Sequence, residues 1–323
     1  MGRGLPLRIL YAGTSSFAVP ALEALVAHDA SPVAVLTRPA SRAGRGQASR
    51  PSAVQVAAEA LGLHVLAPVN VNEPGVIGTL TELQPDLMVV ASYGQILKGP
   101  LLALPRLGCV NLHASLLPAW RGAAPVAHAL LTGDTVTGVT LMQMDKGLDT
   151  GPMLACMRTP VVAADDRGKL TLRLAQMAAE LLVDRLPALA AGGLQPVTQN
   201  AALASHAPAL KKADGCLDWT RPAEEVARRA RAFSPRPGAF TFIQGKRLLV
   251  RRAAAVAAPA PEGVPGTLGP AAAGGAVPVR CGAGTCLHLL EVQPEGRGRM
   301  EAAAAMRGRR LQPGQVLGAR TDD

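Results

Sequence analysis

Three side chains in two short motifs are suited to chemistry together. Asn111 and His113 open the stretch NLHASLLPAWRGAAP (111–125), and Asp149 lies 36 residues beyond His113 in MQMDKGLDTG (142–151). A neutral amide, an imidazole and a carboxylate can stabilise an oxyanion and move a proton, which is what acyl transfer needs. Asn111 and His113 are two residues apart, so on a strand both side chains point to one face. Gly147 and Gly151 flank Asp149 and let the backbone approach a ligand closely. Asp145 shares this loop, and spacing alone does not separate the two carboxylates.

Short apolar strands alternate with helices around these motifs. Residues 7–12 read as a strand, 13–16 as a turn whose hydroxyls can cap a helix, and 17–27 as that helix. A strand over 32–36, a helix over 52–61 and buried strands over 86–91 and 108–112 follow. Near-continuous apolar strands of this kind predict an α/β domain: a doubly wound, mainly parallel, Rossmann-like sheet. Such sheets bind ligands beyond the carboxyl ends of their strands, where Asn111 and His113 fall. The turn GTSSFA lacks the GxGxxG fingerprint, so a dinucleotide site is not supported. Strands over 139–144 and 153–162 and a long helix over 169–189 complete this part.

A helix stop at 190–196 and a polar, extended stretch then separate a catalytic domain (1–190) from a second domain (211–323), with 191–210 as linker. The second domain opens with a helix over 223–233 that carries Arg228, Arg229 and Arg231. Hairpin-like stretches follow over 240–250, with Gln244-Gly245 at the turn, and over 277–292, around residues 282–284. Residues 254–275, rich in Ala, Pro and Gly, read as a loose loop. Short strands with turn signals predict a small β-barrel.

The net charge of +10 is unevenly placed. Residues 1–210 carry 15 Lys/Arg against 13 Asp/Glu, and residues 211–323 carry 18 against 10. A basic segment joined to a nearly neutral one points to a polyanion such as RNA. The loop over 38–50 adds Arg38, Arg42, Arg45 and Arg50 with no acid, and its glycines suit close phosphate contact. The five cysteines are mostly isolated, which favours a reducing compartment and gives no metal-ligand pattern. No apolar run of about 18 residues and no signal-peptide pattern is present, so no membrane association is expected and the cytoplasm is the expected compartment.

The motifs NLHASLLPAWRGAAP and MDKGLDTGPML closely resemble those of the folate-dependent formyltransferases. AGTSSFAVPAL, SRAGRGQASRPSAV, SYGQIL and LKKADGCLDWTRPAEEVARRARAFSPRPGAF extend the resemblance over nearly the whole chain, most weakly over 254–323. The AGRG loop and the basic second domain point to the tRNA-acting branch. The resemblance implies 10-formyltetrahydrofolate as donor, the amino group of initiator methionyl-tRNA as acceptor, no metal, a C-terminal barrel of OB type and a monomer. By position it assigns catalysis to Asn111, His113 and Asp149, folate contact to Ser115, Leu116, Leu117 and Pro118, and a pterin wall to Tyr93, Gln95 and Leu97. It assigns tRNA contact to Arg42, Gly44, Arg45 and Gly46. The chain departs from the family pattern at Ser15, at Ala40 and Ser41, at Ala119 and at Ala127-His128, and none of these removes a catalytic group. Other acceptors compatible with the same trio are glycinamide ribonucleotide, an amino sugar nucleotide and, for a hydrolase, water. A silent RNA-binding protein on this scaffold is the alternative outside enzymology.

Overall fold

The computed structural model describes residues 7–43, 48–272 and 274–318. Its first sheet has seven strands: β1 (Ile9–Gly13), β2 (Ala34–Leu36), β5 (Val65–Leu66), β6 (Leu87–Ala91), β7 (Cys109–His113), β8 (Val136–Gln143) and β9 (Met153–Pro160). The spatial order is β5-β2-β1-β6-β7-β8-β9. The first five run parallel, while β8 lies antiparallel to β7 and β9 antiparallel to β8. β1 and β6 are buried at every residue, which is why they read as unbroken apolar runs. Leu10, Leu36, Met88, Val90 and Leu101 share one core cluster.

The chain passes from β1 outward to β2 and β5, then returns to the other side of β1 as β6. The strand order therefore reverses between β1 and β6, the switch point beside which such sheets hold ligands. The two loops leaving these strands are joined there. Thr14 Oγ1 donates to the Tyr93 carbonyl (2.6 Å), Ser15 Oγ to Ser92 Oγ (2.8 Å), and the Thr14 N–H to the Ser92 carbonyl (3.2 Å).

Helices α1 (Val19–Ala27), α2 (Ala53–Ala60), α3 (Pro74–Glu82), α4 (Gly99–Leu102), α5 (Pro125–Thr132) and α6 (Arg167–Ala190) connect or follow these strands. Ser52 caps α2 by accepting from the Gln55 N–H (2.9 Å). The arginine-rich loop contains a short antiparallel ladder, β3 (Ser41–Ala43) with β4 (Ala48–Arg50). Gly44, Arg45 and Gly46 lie outside the described residues, as does the Arg42 side chain.

The second sheet is antiparallel. It is built from β10 (Ala239–Ile243), β11 (Lys246–Val256), β12 (Val277–Arg280) and β13 (Cys286–Pro294) in the order β10-β11-β13-β12, with β14 (Met300–Glu301) on β13. Gln244 and Gly245 have φ of 49° and 71°, the paired left-handed conformation of a type I′ hairpin turn. Helices α7 (Ala223–Phe233) and α8 (Ala302–Arg307) flank it in sequence. The 254–275 stretch is more ordered than its composition predicts. Thr267 bridges Val316, Leu268 bridges Val279, and Leu268 is buried. That order comes from long-range backbone pairing, which leaves no local periodicity to read.

The compact units are not separated by one cut in the chain. One comprises Met1–Pro125, Val136–Pro160 and Thr171–Ala207; the other comprises Val126–Thr135, Val161–Leu170 and Pro208–Asp323. Within the second unit, Arg228 Nε donates to the Leu131 carbonyl (3.1 Å), and Arg231 Nη1 lies 3.4 Å from the Val162 and Asp165 carbonyls. No helix among the described residues is long and apolar enough to cross a membrane.

Candidate active site

His113 is the last residue of β7 and Asn111 stands two residues before it. Their side chains meet the same carboxylate. Asn111 Nδ2 donates to Asp149 Oδ1 (3.3 Å), and His113 Nδ1 lies 3.6 Å from Asp149 Oδ2. The imidazole side chain is 6% exposed and the carboxylate 14%, so the cluster is shielded from bulk water while the carboxylate keeps some surface. The other imidazole nitrogen, Nε2, lies 2.9 Å from the Trp120 carbonyl. A carbonyl only accepts, so Nε2 carries a proton and Nδ1 is the ring atom left to act.

Asp145, the other carboxylate of the loop, has a different place. It is exposed and accepts from the Gly147 N–H (3.0 Å) and from Thr150 Oγ1 (2.7 Å), holding its own turn. Asp149 instead accepts from the Gly122 N–H at Oδ2 (2.8 Å). This reach needs glycine at two points. A Cβ on Gly151 would sit 1.9 Å from the Gln143 carbonyl oxygen. Gly122 has φ of 119°, and a Cβ there would sit 2.8 Å from the Ala207 carbonyl oxygen. Asp149 itself adopts a left-handed φ of 54°, a conformation that costs about 1–3 kcal/mol for a residue with a side chain.

The turn that follows β7 is held by a buried hydroxyl. Thr140 Oγ1 donates to the Ser115 carbonyl (2.7 Å) and accepts from the Leu117 N–H (3.1 Å). Ser115 Oγ donates to the Ala119 carbonyl (2.6 Å), and the Leu117–Pro118 peptide bond is cis. Ser115 and Leu117 are buried, while Leu116 and Pro118 are half-buried.

After β6, Tyr93 and Leu97 are buried. Gln95 is taken up by the fold: it accepts from the Val71 N–H (2.9 Å) and donates to the Pro68 carbonyl (3.0 Å). Burial pushes the Tyr93 phenol up to about 12, with Arg38 opposing, and its hydroxyl has no hydrogen-bond partner among the described residues. Among the described residues no group of three or more His, Cys, Asp or Glu is placed to hold a metal ion.

Sequence reading did not find Arg121 and Gln199, which support the cluster from behind. Gln199 Nε2 donates to the carbonyls of Asp149 (2.9 Å) and Gly151 (2.7 Å). Its Oε1 accepts from Arg121 Nε (3.0 Å) and Nη2 (2.8 Å). These pairs lie 78 and 50 or 48 residues apart, beyond any local pattern.

The geometry can polarise a carbonyl and relay a proton, and comparison with known proteins agrees with that chemistry. The profile of "Formyl transferase" matches residues 7–186, and that of "Formyl transferase, C-terminal domain" matches residues 209–310. Curated relatives named methionyl-tRNA formyltransferase include one from Thiobacillus denitrificans, 47% identical over 97% of this chain and 100% of its own length. Another, from Citrifermentans bemidjiense, is 44% identical over 97% of this chain and 96% of its own. Among solved structures, the sugar 3N-formyl transferase WlaRD, crystallised with dTDP and 5-N-formyl-THF, superposes with a TM-score of 0.65 at 15% identity, covering 91% of this chain and 100% of its own. HypX from Aquifex aeolicus in complex with tetrahydrofolic acid gives 0.63 at 16% identity over 94% of this chain and 47% of its own, which supports the fold alone. On identity, coverage and both domain matches, the chain belongs to the methionyl-tRNA formyltransferase family.

Proposed function

We propose that the protein transfers the formyl group of 10-formyltetrahydrofolate to the amino group of initiator methionyl-tRNA, with Asn111, His113 and Asp149 as the catalytic residues. The observation that carries the site assignment is the convergence of Asn111 Nδ2 and His113 Nδ1 on one Asp149 carboxylate. In the reaction the neutral amine attacks the formyl carbon, a new C–N bond forms and the carbonyl oxygen becomes an oxyanion. Asn111 donates to that oxygen. His113 donates through Nδ1 when its ring carries both protons, because Nε2 is held by Trp120. Asp149 orients the ring and takes part in moving the amine proton towards N10. The oxyanion then collapses, the C–N10 bond breaks and N10 leaves protonated. The 3.6 Å gap between Nδ1 and Asp149 exceeds a direct hydrogen bond, so the Nδ1 proton is not committed to the carboxylate and can serve the oxyanion.

The folate donor suits the switch-point crevice. Ser115, Leu116, Leu117 and Pro118 line one side on our reading, and the loop of Tyr93, Gln95 and Leu97 lines the other. Gln95 and Leu97 serve there through the backbone they hold in place, since their side chains are committed to the fold. The partnerless Tyr93 hydroxyl is the buried polar atom such a ligand can satisfy. For the acceptor, Arg42, Gly44, Arg45 and Gly46 contact the tRNA, together with the basic second domain. We take residues 1–190 as the catalytic domain, 191–210 as the linker and 211–323 as the tRNA-binding domain. The protein acts as a monomer in the cytoplasm, where initiator tRNA is charged and used.

The test is a transfer assay with 10-formyltetrahydrofolate and either methionyl initiator tRNA or glycinamide ribonucleotide. Formylmethionine on tRNA alone is expected. Product only on the ribonucleotide would keep the trio and overturn the acceptor, and folate turnover without a formylated acceptor would identify a hydrolase.

A further inference from the structure

The side-chain amide of Gln199 is used at both ends. Its two N–H groups reach the carbonyls of Asp149 and Gly151, and its oxygen takes the two-pronged fork of Arg121. The guanidinium fixes which end of the amide faces the loop, because only the oxygen can accept from it. Both side chains are shielded, Arg121 at 8% and Gln199 at 7% exposed, so these bonds act away from bulk water. The backbone around Arg121 is pinned as well. Its N–H donates to the Ser205 carbonyl (2.9 Å), and its carbonyl accepts from the Ala207 N–H (2.7 Å). The next residue, Gly122, gives its N–H to the Asp149 carboxylate. One short segment thus holds Asp149 at its carboxylate directly and at its backbone through Gln199.

We infer that Gln199, locked by Arg121, is a positioning residue that sets where the Asp149 carboxylate stands against His113 and Asn111. It touches no reacting atom. It straps the Asp149–Gly151 carbonyls, and with them the left-handed turn that aims the carboxylate. The inference rests on the catalytic role proposed for Asp149.

The discriminating variant is Gln199→Glu. It keeps an oxygen for Arg121 to pair with, yet replaces both donors with an acceptor facing two carbonyls. A misplacement of about 1 Å costs on the order of 100-fold in turnover, so kcat should fall by roughly 10- to 100-fold with both KM values nearly unchanged. A double-mutant cycle with Asp149→Ala separates positioning from general support. If Gln199 works through Asp149, Gln199→Glu costs nothing more once Asp149 is alanine. Should Gln199→Glu not yield folded protein, Gln199→Asn, one methylene too short to span the same partners, runs the same cycle. Equal losses in both backgrounds, or full turnover in a folded Gln199 variant, would overturn the proposal. The two readings fail differently. An active Asp149→Ala enzyme removes the role of Asp149 itself. A dead Asp149→Ala beside a fully active Gln199→Glu removes only the strap.

Discussion

The Asn111–His113–Asp149 cluster and helix α7 are both rich in polar side chains, and they use them in opposite ways. In the cluster, side chain meets side chain: an amide and an imidazole converge on one partly exposed carboxylate. On α7, guanidinium groups meet backbone. Arg228 donates to the Leu131 carbonyl and Arg229 to the Asp214 carbonyl, while Arg231 lies against the carbonyls of Val162 and Asp165. Burial lowers the Arg231 pKa below the ordinary arginine value, with Glu224 and Asp165 opposing. Both regions are conspicuous in the sequence, but only in the cluster do side chains from separate motifs converge on one another. Arginines bonded to carbonyls still add to the field around the second unit, while their forks are engaged within it. A count of charges therefore overstates how many of them are placed to grip a phosphate.

That contrast can be broken by mutation. The largest effect belongs to the cluster. Asn111→Ala and His113→Ala should each lower kcat by about 100- to 1000-fold in a protein with an unchanged circular dichroism spectrum. A near-normal His113→Ala enzyme would remove the cluster from the mechanism. Next comes the arginine loop. Arg45→Ala should weaken use of tRNA and reduce the salt dependence of binding by a slope of about 1, with donor affinity unaffected. Loss of folate binding in that variant would contradict the division between the two substrates.

Smaller effects are expected on α7. Arg228→Ala should lower stability to urea by about 0.5–1.5 kcal/mol, since it removes a part-buried hydrogen bond to the Leu131 carbonyl, and should spare kcat at saturating substrate. Intact stability with weakened tRNA binding would move Arg228 from support to recognition. The smallest effect is spectroscopic. The chain has two tyrosines, and burial holds both above the ordinary value of 10.0, Tyr93 up to about 12 and Tyr11 beyond that. Tyrosinate absorbance of the folded protein should stay flat between pH 10 and 11. The sign for stability follows from the same shift. The unfolded phenols ionise first, so stability is intact below about pH 10 and declines as pH rises towards 12. Early tyrosinate absorbance without unfolding would show that Tyr93 is open to solvent.

Much of the α/β part was legible. LMVVA at β6 is an apolar run because the strand is buried on both sides, and the two-residue spacing of Asn111 and His113 does put both against one carboxylate. The Gln244-Gly245 hairpin was legible because its turn chemistry is local. The choice between Asp145 and Asp149 could not be read by spacing. It depends on which carboxylate Gly147 and Thr150 tie down and which one Gly122 draws in from 27 residues away. Gln199 gave no signal at all. It sits in a polar, extended stretch, and its partners are assembled only when residues 121, 149 and 151 come together. The order within 254–275 was hidden for the same reason.

The two carboxylates of one loop offer the most direct measurement. Single-turnover formyl transfer to methionyl initiator tRNA, at saturating donor, should be compared for Asp149→Asn and Asp145→Asn. The account predicts a loss of about 100-fold or more for Asp149→Asn and, for Asp145→Asn, a rate within about threefold of the unaltered enzyme. Equal losses, or a larger loss at Asp145, would contradict the assignment of the catalytic carboxylate.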